Sequence, residues 1–150
     1  MFCAWILPRL GGVDGFDQDK HAGEGDEGGE LRAGPASTPL PVIIAMDSNA
    51  QAAPPPQDAT YADFIAAGYK DAWSQIFRTM LGLTCCQAQL VNNLTSQLTQ
   101  RIDLILSLGK IQAQNIALFG ADQASKTEDG LWPSDHAGVA AQLVVNAAGR

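Results

Sequence analysis

The feature that most constrains the fold is a stretch without proline from Thr60 to Gly120. Within it, apolar residues recur mostly at steps of three and four, the spacing that places side chains on one face of an α-helix. Thr60, followed three residues later by Asp63, matches a helix N-cap with its capping box. The pattern therefore predicts an all-α protein whose main element is a long amphipathic helix over residues 60–120.

The same stretch also allows a helical hairpin. A single helix of this length cannot bury its own apolar stripe, so it must fold back or pack against other chains. The candidate break points are Gly68, Gly82 and Gly109, since glycine costs about 1 kcal/mol relative to alanine inside a helix. Gly82 is the preferred hinge and Gly109 is the second choice. Neither glycine is flanked by the Asn, Asp or Pro of a firm turn. One long helix and a hairpin both stay open.

A second, short helix is predicted at the C-terminal end, over residues 134–148. Ser134 is suited to the N-cap, and Asp135 favours the positive end of the helix dipole. Gly149 stands where such a helix would end. Its narrow face of small apolar residues would close over the long element.

The polar side of the long stretch carries Gln and Asn in place of the usual charged pairs. Amides lose their hydration at a lower cost than ions, so such a side suits packing against another protein surface. A simple solvated face is the alternative. On the first interpretation, the apolar stripe forms a coiled-coil-like interface in a homo-oligomer. The predicted interface residues are Ile76, Met80, Leu83, Leu90, Val91, Leu94, Leu98, Ile102 and Ile105.

In general character, residues 60–119 resemble the phasins, which are helical coat proteins of polyester granules. They also resemble the small Gln/Ala-rich subunits of bacterial R-bodies. Both resemblances concern the helical, amide-rich composition and include no diagnostic motif. They imply a helical coat or assembly protein of a bacterial type, and they carry over no functional residue.

The N-terminal part has a different composition. Residues 1–57 are rich in Gly, Pro and acidic residues, which predicts a disordered leader and Pro-rich linker before a helical domain over residues 58–150. Met46 and the polar residues after it suggest a natural start of the chain, with residues 1–45 upstream of it. The net charge of −7 argues against nucleic-acid binding, because phosphate contacts need clustered Lys and Arg.

The residues that could carry chemistry do not form a recognisable catalytic pattern. Cys85 and Cys86 are adjacent, and a disulfide between them would be strained, so we expect small apolar residues rather than a redox or metal pair. Ser134, Asp135 and His136 are neighbours at a predicted helix start and cannot converge as a triad. No sequence feature places Cys85 near His136. We therefore predict a protein that is not an enzyme and holds no cofactor or metal.

Together these observations predict a structural, self-associating helical protein. The alternative is a small helical adaptor or coat protein that binds a partner helix or a hydrophobic surface. No segment has the roughly 18 apolar residues that a membrane span needs. The odd and sparse cysteine count fits a reducing compartment, so a cytoplasmic location is predicted.

Overall fold

The computed structural model describes residues 40–146. This part of the chain is mostly β, and the all-α prediction is wrong. The strands and α-helices in chain order are β1 (Val42–Asp47), α1 (Ala59–Ala66), β2 (Lys70–Asp71), α2 (Ala72–Ile76), β3 (Asp103–Leu108), β4 (Ile111–Phe119) and β5 (Gly138–Val145). A 3-10 helix, Gln123–Ser125, lies between the last two strands.

The strands form two antiparallel sheets. In the first sheet β3 is central, with β1 and β2 on its two sides, and in the second sheet β4 pairs with β5. The register places Val42 opposite Leu108 at one end of the β1–β3 ladder and Asp47 opposite Asp103 at the other. Gly109 turns the chain from β3 to β4 at a φ of 93°, a left-handed conformation that favours glycine. The predicted break at Gly109 is therefore a turn between strands.

β3 is covered on both of its faces, which explains the wrong helix prediction. Leu104 and Leu106 pack into one core with Val42 and the α1 residue Tyr61. Ile105, pointing the other way, packs into a second core against the β4 strand. A strand buried on both faces reads as a continuous apolar run instead of an alternating one. In this sequence the apolar residues of that run are also spaced three and four apart, as on one face of a helix.

Only a short part of the predicted long helix is helical. α1 begins at Ala59, and its N-cap residue is Asp58, so Thr60 lies inside the first turn. The five-residue α2 is capped by the carboxylate of Asp71, which accepts from the backbone N–H of Trp73. The helix predicted over 134–148 is also wrong. β5 occupies most of that range and pairs with β4, in keeping with its β-branched valines.

The amide-rich region is a long loop over residues 77–102 that closes through isolated β-bridges. Gln87 is buried, and its side-chain oxygen accepts from the side chain of Asn93 and from the backbone N–H of Gln97. The Gln87 amide nitrogen donates to the hydroxyl of Ser96. These amides satisfy loop backbone and one another, so they do not form the polar side of a helix. The coiled-coil prediction is wrong for this reason.

The nine residues of the predicted interface do not share one face. Ile102 is buried, and Ile76 and Ile105 pack into the second core. Leu90 and Leu94 are exposed, and the remaining four residues lie along the loop: Met80, Leu83, Val91 and Leu98. Because no long helix connects these side chains, the prediction of a helical self-associating protein, or of a helical adaptor, is wrong.

Leu94→Asp should therefore have little effect on stability. The Leu94 side chain is 83% exposed, so the free energy of unfolding should change by no more than about 0.5 kcal/mol. Leu104→Ala, at a core position, should cost about 2 to 5 kcal/mol. Urea unfolding of both variants makes the comparison. A loss in Leu94→Asp as large as that in Leu104→Ala would contradict the placement of this loop.

Residues 1–39 of the predicted leader lie outside the described residues. The division of the chain at residue 57 stays a prediction, as does a start at Met46. β1 lies on the leader side of that division and pairs with β3 on the other side. None of the helices within residues 40–146 combines the length and the apolar character that a membrane span needs.

Candidate active site

Two carboxylates face each other at one end of the first sheet. Asp47 ends β1 and Asp103 begins β3, and the two residues are direct partners in the antiparallel ladder. Side chains of directly opposite residues lie on the same face of the sheet, and like charges there are destabilising. The pair therefore lowers the free energy of unfolding unless a positive group lies near it.

His136 lies beside this pair. Its ring Nδ1 is 2.9 Å from Oδ2 of Asp103, and both side chains are partly buried. A carboxylate can only accept, so we assign the proton of the neutral ring to Nδ1, which leaves Nε2 free to accept one. The ligand atoms of Asp47, Asp103 and His136 all lie within 4.8 Å of one another. Three separate segments of the chain thus converge on one point.

The loop before β5 holds His136 in place through its backbone. Its N–H donates to the hydroxyl of Ser134 at 3.1 Å. On either side of His136, the carbonyl of Asp135 accepts from the N–H of Gln87, and the N–H of Ala137 donates to the carbonyl of Thr84. This short ladder fixes the histidine against the 84–87 segment. The carboxylate of Asp135 is exposed and stays outside the three-residue cluster.

Thr84 positions Asp103 from beneath. Its hydroxyl is fully buried and accepts from the backbone N–H of Ile102 at 3.2 Å and of Asp103 at 3.1 Å. These two donors belong to the start of β3, where the first sheet ends. The threonine hydroxyl thus fixes the backbone that carries the Asp103 carboxylate.

Thr84→Val, which keeps the shape and removes the hydroxyl, should lower the free energy of unfolding by about 1 to 3 kcal/mol, because it leaves buried N–H groups without their acceptor. Thr79→Val, at an exposed position, is the matched control and should stay within about 0.5 kcal/mol of the unaltered protein. Chemical denaturation measures both. Equal stability of the two variants would mean that Thr84 does not anchor β3.

Asp47 is fixed by the turn that follows it. The backbone N–H of Asn49 donates to Oδ1 of Asp47 at 2.9 Å, and Asn49 has a φ of 49°. Asn adopts this left-handed conformation more readily than most residues. A cleft of about 160 Å³ opens on the Asp103 side, between the two sheets, and its walls include Met46, Ile105 and Val139. A small group from solvent can therefore reach Asp103 through this cleft, and the side chain of Asp47 is exposed.

The donor set fits a hard divalent cation such as Mg²⁺ or Mn²⁺. Such ions prefer carboxylate oxygen ligands, and Mg²⁺ is commonly bound by one or two carboxylates together with substrate phosphates. Two oxygens that share an ion at about 2.1 Å lie roughly 3 to 4 Å apart, a span within the size of this cluster. Asp47 and Asp103 would hold the cation, and it would offset the repulsion between them.

A second polar cluster serves the fold. Asp71 and Arg101 form a buried ion pair, and the Asp71 carboxylate also accepts from Tyr61 and Ser74. The Nε–H of Arg101 donates to the carbonyl of Leu81. Burial, and next the negative charge of Asp71, raise the pKa of Tyr61 above its ordinary value, so its hydroxyl remains a donor. These side chains satisfy one another, and the cluster ties α1, α2 and the start of β3 together.

The sequence prediction of no catalytic or metal residue did not anticipate the convergence of Asp47, Asp103 and His136. Asp47 follows an apolar run at the end of β1, and Asp103 interrupts another apolar run. A carboxylate beside or within a buried strand is costly, and this signal was present in the sequence. Ser134, Asp135 and His136 do not converge as a triad. However, the structure pairs Cys85 with His136 in a β-bridge, against expectation, and joins Cys85 to Cys86 by a disulfide.

No protein-family model matches the chain, and no curated protein matches it in sequence. A solved structure of D. rerio TDP2, complexed with a single-stranded DNA product, is similar to this chain with 20% identity and a TM-score of 0.47. The match covers 77% of this chain and 45% of the TDP2 chain, so it spans less than half of the TDP2 length. A likeness at this level does not establish a shared fold or activity.

The prediction that the protein is not an enzyme is corrected. It depended on a helical architecture that the described residues do not have, and on the lack of converging polar side chains. The structure brings Asp47, Asp103 and His136 together in an open position.

Proposed function

We propose that this protein is a hydrolase that uses a divalent cation to cleave a phosphate ester. The observation that carries the proposal is the convergence of Asp47, Asp103 and His136, whose ligand atoms lie within 4.8 Å of one another at the open end of the first sheet. Two carboxylates can hold a divalent cation and an oriented imidazole can act as a base, which are two roles used in metal-assisted hydrolysis.

Each side chain has a separate role in this proposal. His136 is the general base, and its Nε2 takes the proton from the attacking water. Asp103 orients the ring through its bond to Nδ1 and stabilises the positive charge that the ring acquires. Asp47 and Asp103 hold the cation, which when bound would neutralise phosphate oxygens and increase the acidity of water. His136 can afterwards return its proton to the leaving alcohol.

The charge around the cluster supports an anionic substrate that binds through a cation. Asp47, Asp103 and Asp135 are acidic, and the nearest basic residue in sequence, Arg101, has its guanidinium buried against Asp71. A phosphate group would be repelled by these carboxylates without a bridging cation. With a cation bound, the same carboxylates hold the group that attracts the phosphate.

The net charge of −7 favours a small phosphate ester over a polynucleotide. The absence of a nucleic-acid partner stays a prediction on that ground. A homo-oligomer, a protein partner or hydrophobic surface, and a cytoplasmic location also stay predictions.

Hydrolysis of bis(p-nitrophenyl) phosphate and p-nitrophenyl phosphate, with and without Mg²⁺ or Mn²⁺, tests the proposal. We expect release of p-nitrophenol from at least one ester in the presence of a cation. Removal of the cation with EDTA should abolish this release, and added cation should restore it. Asp47→Asn should behave as the cation-free protein does, whereas Asp63→Asn, at an exposed position in α1, should keep the full rate. Equal rates with and without cation would contradict the proposal.

A further inference from the structure

A second group of ligand atoms also includes His136. Cys85, Cys86 and His136 have side-chain ligand atoms within 4.8 Å of one another. Cys85 is buried at 1% exposure, Cys86 is exposed, and His136 is intermediate. Cys85 therefore lies inside the protein, and Cys86 is accessible to solvent.

The backbone fixes this group from two directions. Cys85 forms antiparallel bridges both to Gln100 and to His136. Its N–H donates to the carbonyl of Gln100, and its carbonyl accepts from the N–H groups of Thr99 and Gln100. Because Nδ1 of His136 is bound to Asp103, Nε2 is the nitrogen that remains for a metal. A carboxylate that orients a histidine in this way is the usual second partner of a zinc-bound imidazole.

We propose that the reduced pair Cys85–Cys86, together with Nε2 of His136, forms a binding site for Zn²⁺. Zn²⁺ favours thiolate and imidazole ligands in a tetrahedral arrangement, and three protein ligands leave its fourth position to water. The hard oxygen cluster of Asp47 and Asp103 suits a different class of ion, so the two clusters divide metals by their ligand chemistry.

The oxidation state of the cysteines decides whether this site exists. In the disulfide the sulfur atoms are bonded to each other and offer no thiolate. A phosphine reductant breaks the S–S bond: the phosphorus loses two electrons, water supplies the oxygen of the phosphine oxide, and each sulfur gains a proton. On binding Zn²⁺, the two thiols then release these protons to the buffer.

The site also has a consequence that depends on the proposed function. Zn²⁺ on Nε2 of His136 occupies the nitrogen that the proposed hydrolysis uses as a base. The zinc-loaded, reduced protein should therefore be inactive, and the disulfide form should be insensitive to the same concentration of zinc. Zinc binding itself does not depend on the proposed activity.

Zinc and cobalt titrations of the full chain test the site. The protein is reduced with a phosphine, separated from it without oxygen, and titrated against a chromophoric zinc chelator. We expect one tightly bound Zn²⁺ per reduced chain, and with Co²⁺ the near-ultraviolet absorption of a thiolate-bound ion. Cys86→Ser and His136→Asn should each lower zinc affinity at least about tenfold. Cys3→Ser, which removes the third cysteine, should leave it unchanged.

A folding control accompanies the zinc titrations. Circular dichroism of Cys86→Ser should match the unaltered protein, because residue 86 is exposed. Equal zinc binding by the reduced and disulfide forms, or a loss in Cys3→Ser as large as in Cys86→Ser, would overturn the proposal. Zinc binding without phosphate ester hydrolysis in any form would support the zinc site and overturn the proposed function.

Discussion

Arg101→Ala should lower the free energy of unfolding by about 3 to 5 kcal/mol, because it leaves the carboxylate of Asp71 buried without its charged partner. The two side chains are 5% and 1% exposed, so water cannot replace the guanidinium. The same substitution removes the bond to the Leu81 carbonyl. Since Asp71 caps α2 and binds Tyr61 of α1, both helices should be affected. Urea unfolding followed by tryptophan fluorescence measures the loss.

Two further variants separate charge from packing in this prediction. Arg78→Ala removes an exposed arginine and should stay within about 0.5 kcal/mol of the unaltered protein. The double variant Arg101→Met with Asp71→Asn replaces the ion pair by uncharged groups of similar size, and it should be more stable than Arg101→Ala alone. If Arg101→Ala unfolds at the same urea concentration as Arg78→Ala, the buried ion pair does not hold the fold together.

His136→Ala should lower kcat/KM for phosphate ester hydrolysis by about 10² to 10⁴, the usual contribution of a general base. Asp103→Asn should cause a loss of similar size, because an amide does not stabilise the positive ring and a carboxylate ligand of the cation is lost. Steady-state hydrolysis of bis(p-nitrophenyl) phosphate with Mn²⁺ measures both.

The stability of Asp103→Asn should not fall together with its activity. The variant removes one of two like charges that face each other across the β1–β3 ladder, a repulsion of about 0.2 to 1 kcal/mol. The free energy of unfolding should therefore stay equal or rise while activity falls. This combination marks a residue retained for function at a cost to the fold. A loss of activity that follows a matching loss of stability would instead indicate a structural role.

Some local features of the fold could be predicted from sequence. A helix does begin near the predicted start, although its N-cap is Asp58, two residues before the predicted N-cap Thr60, and the chain does turn at Gly109. These features depend on neighbouring residues, which is why short-range patterns reveal them.

The sheets could not be predicted in the same way, because their decisive contacts are distant in sequence. β3 is apolar on both faces only because α1 covers one face and β4 lies against the other. Without those partners, its apolar run fits a helix as well as a strand. Likewise, the amides of the 77–102 loop have a clear role only once Gln87, Asn93 and Ser96 are brought together.

The candidate site combines residues that stand out in the sequence with contacts that only the fold creates. A lone carboxylate at Asp103 inside an apolar run was a signal within the sequence, and so was Asp47 after β1. Their pairing with each other and with His136, which is 33 residues beyond Asp103, depends on strand register and loop closure. No spacing pattern in the chain encodes that convergence, so the residues could be noticed singly but not assembled.

The most direct test of the central claim is Mn²⁺ binding to the full chain, measured by electron paramagnetic resonance of the free ion. We expect one Mn²⁺ site per chain in the unaltered protein, weakened at least about tenfold in Asp47→Asn. Asp63→Asn should bind as the unaltered protein does. Binding that is equally strong in Asp47→Asn, or no binding in any variant, would contradict the account of Asp47, Asp103 and His136 as a cation-dependent hydrolytic site.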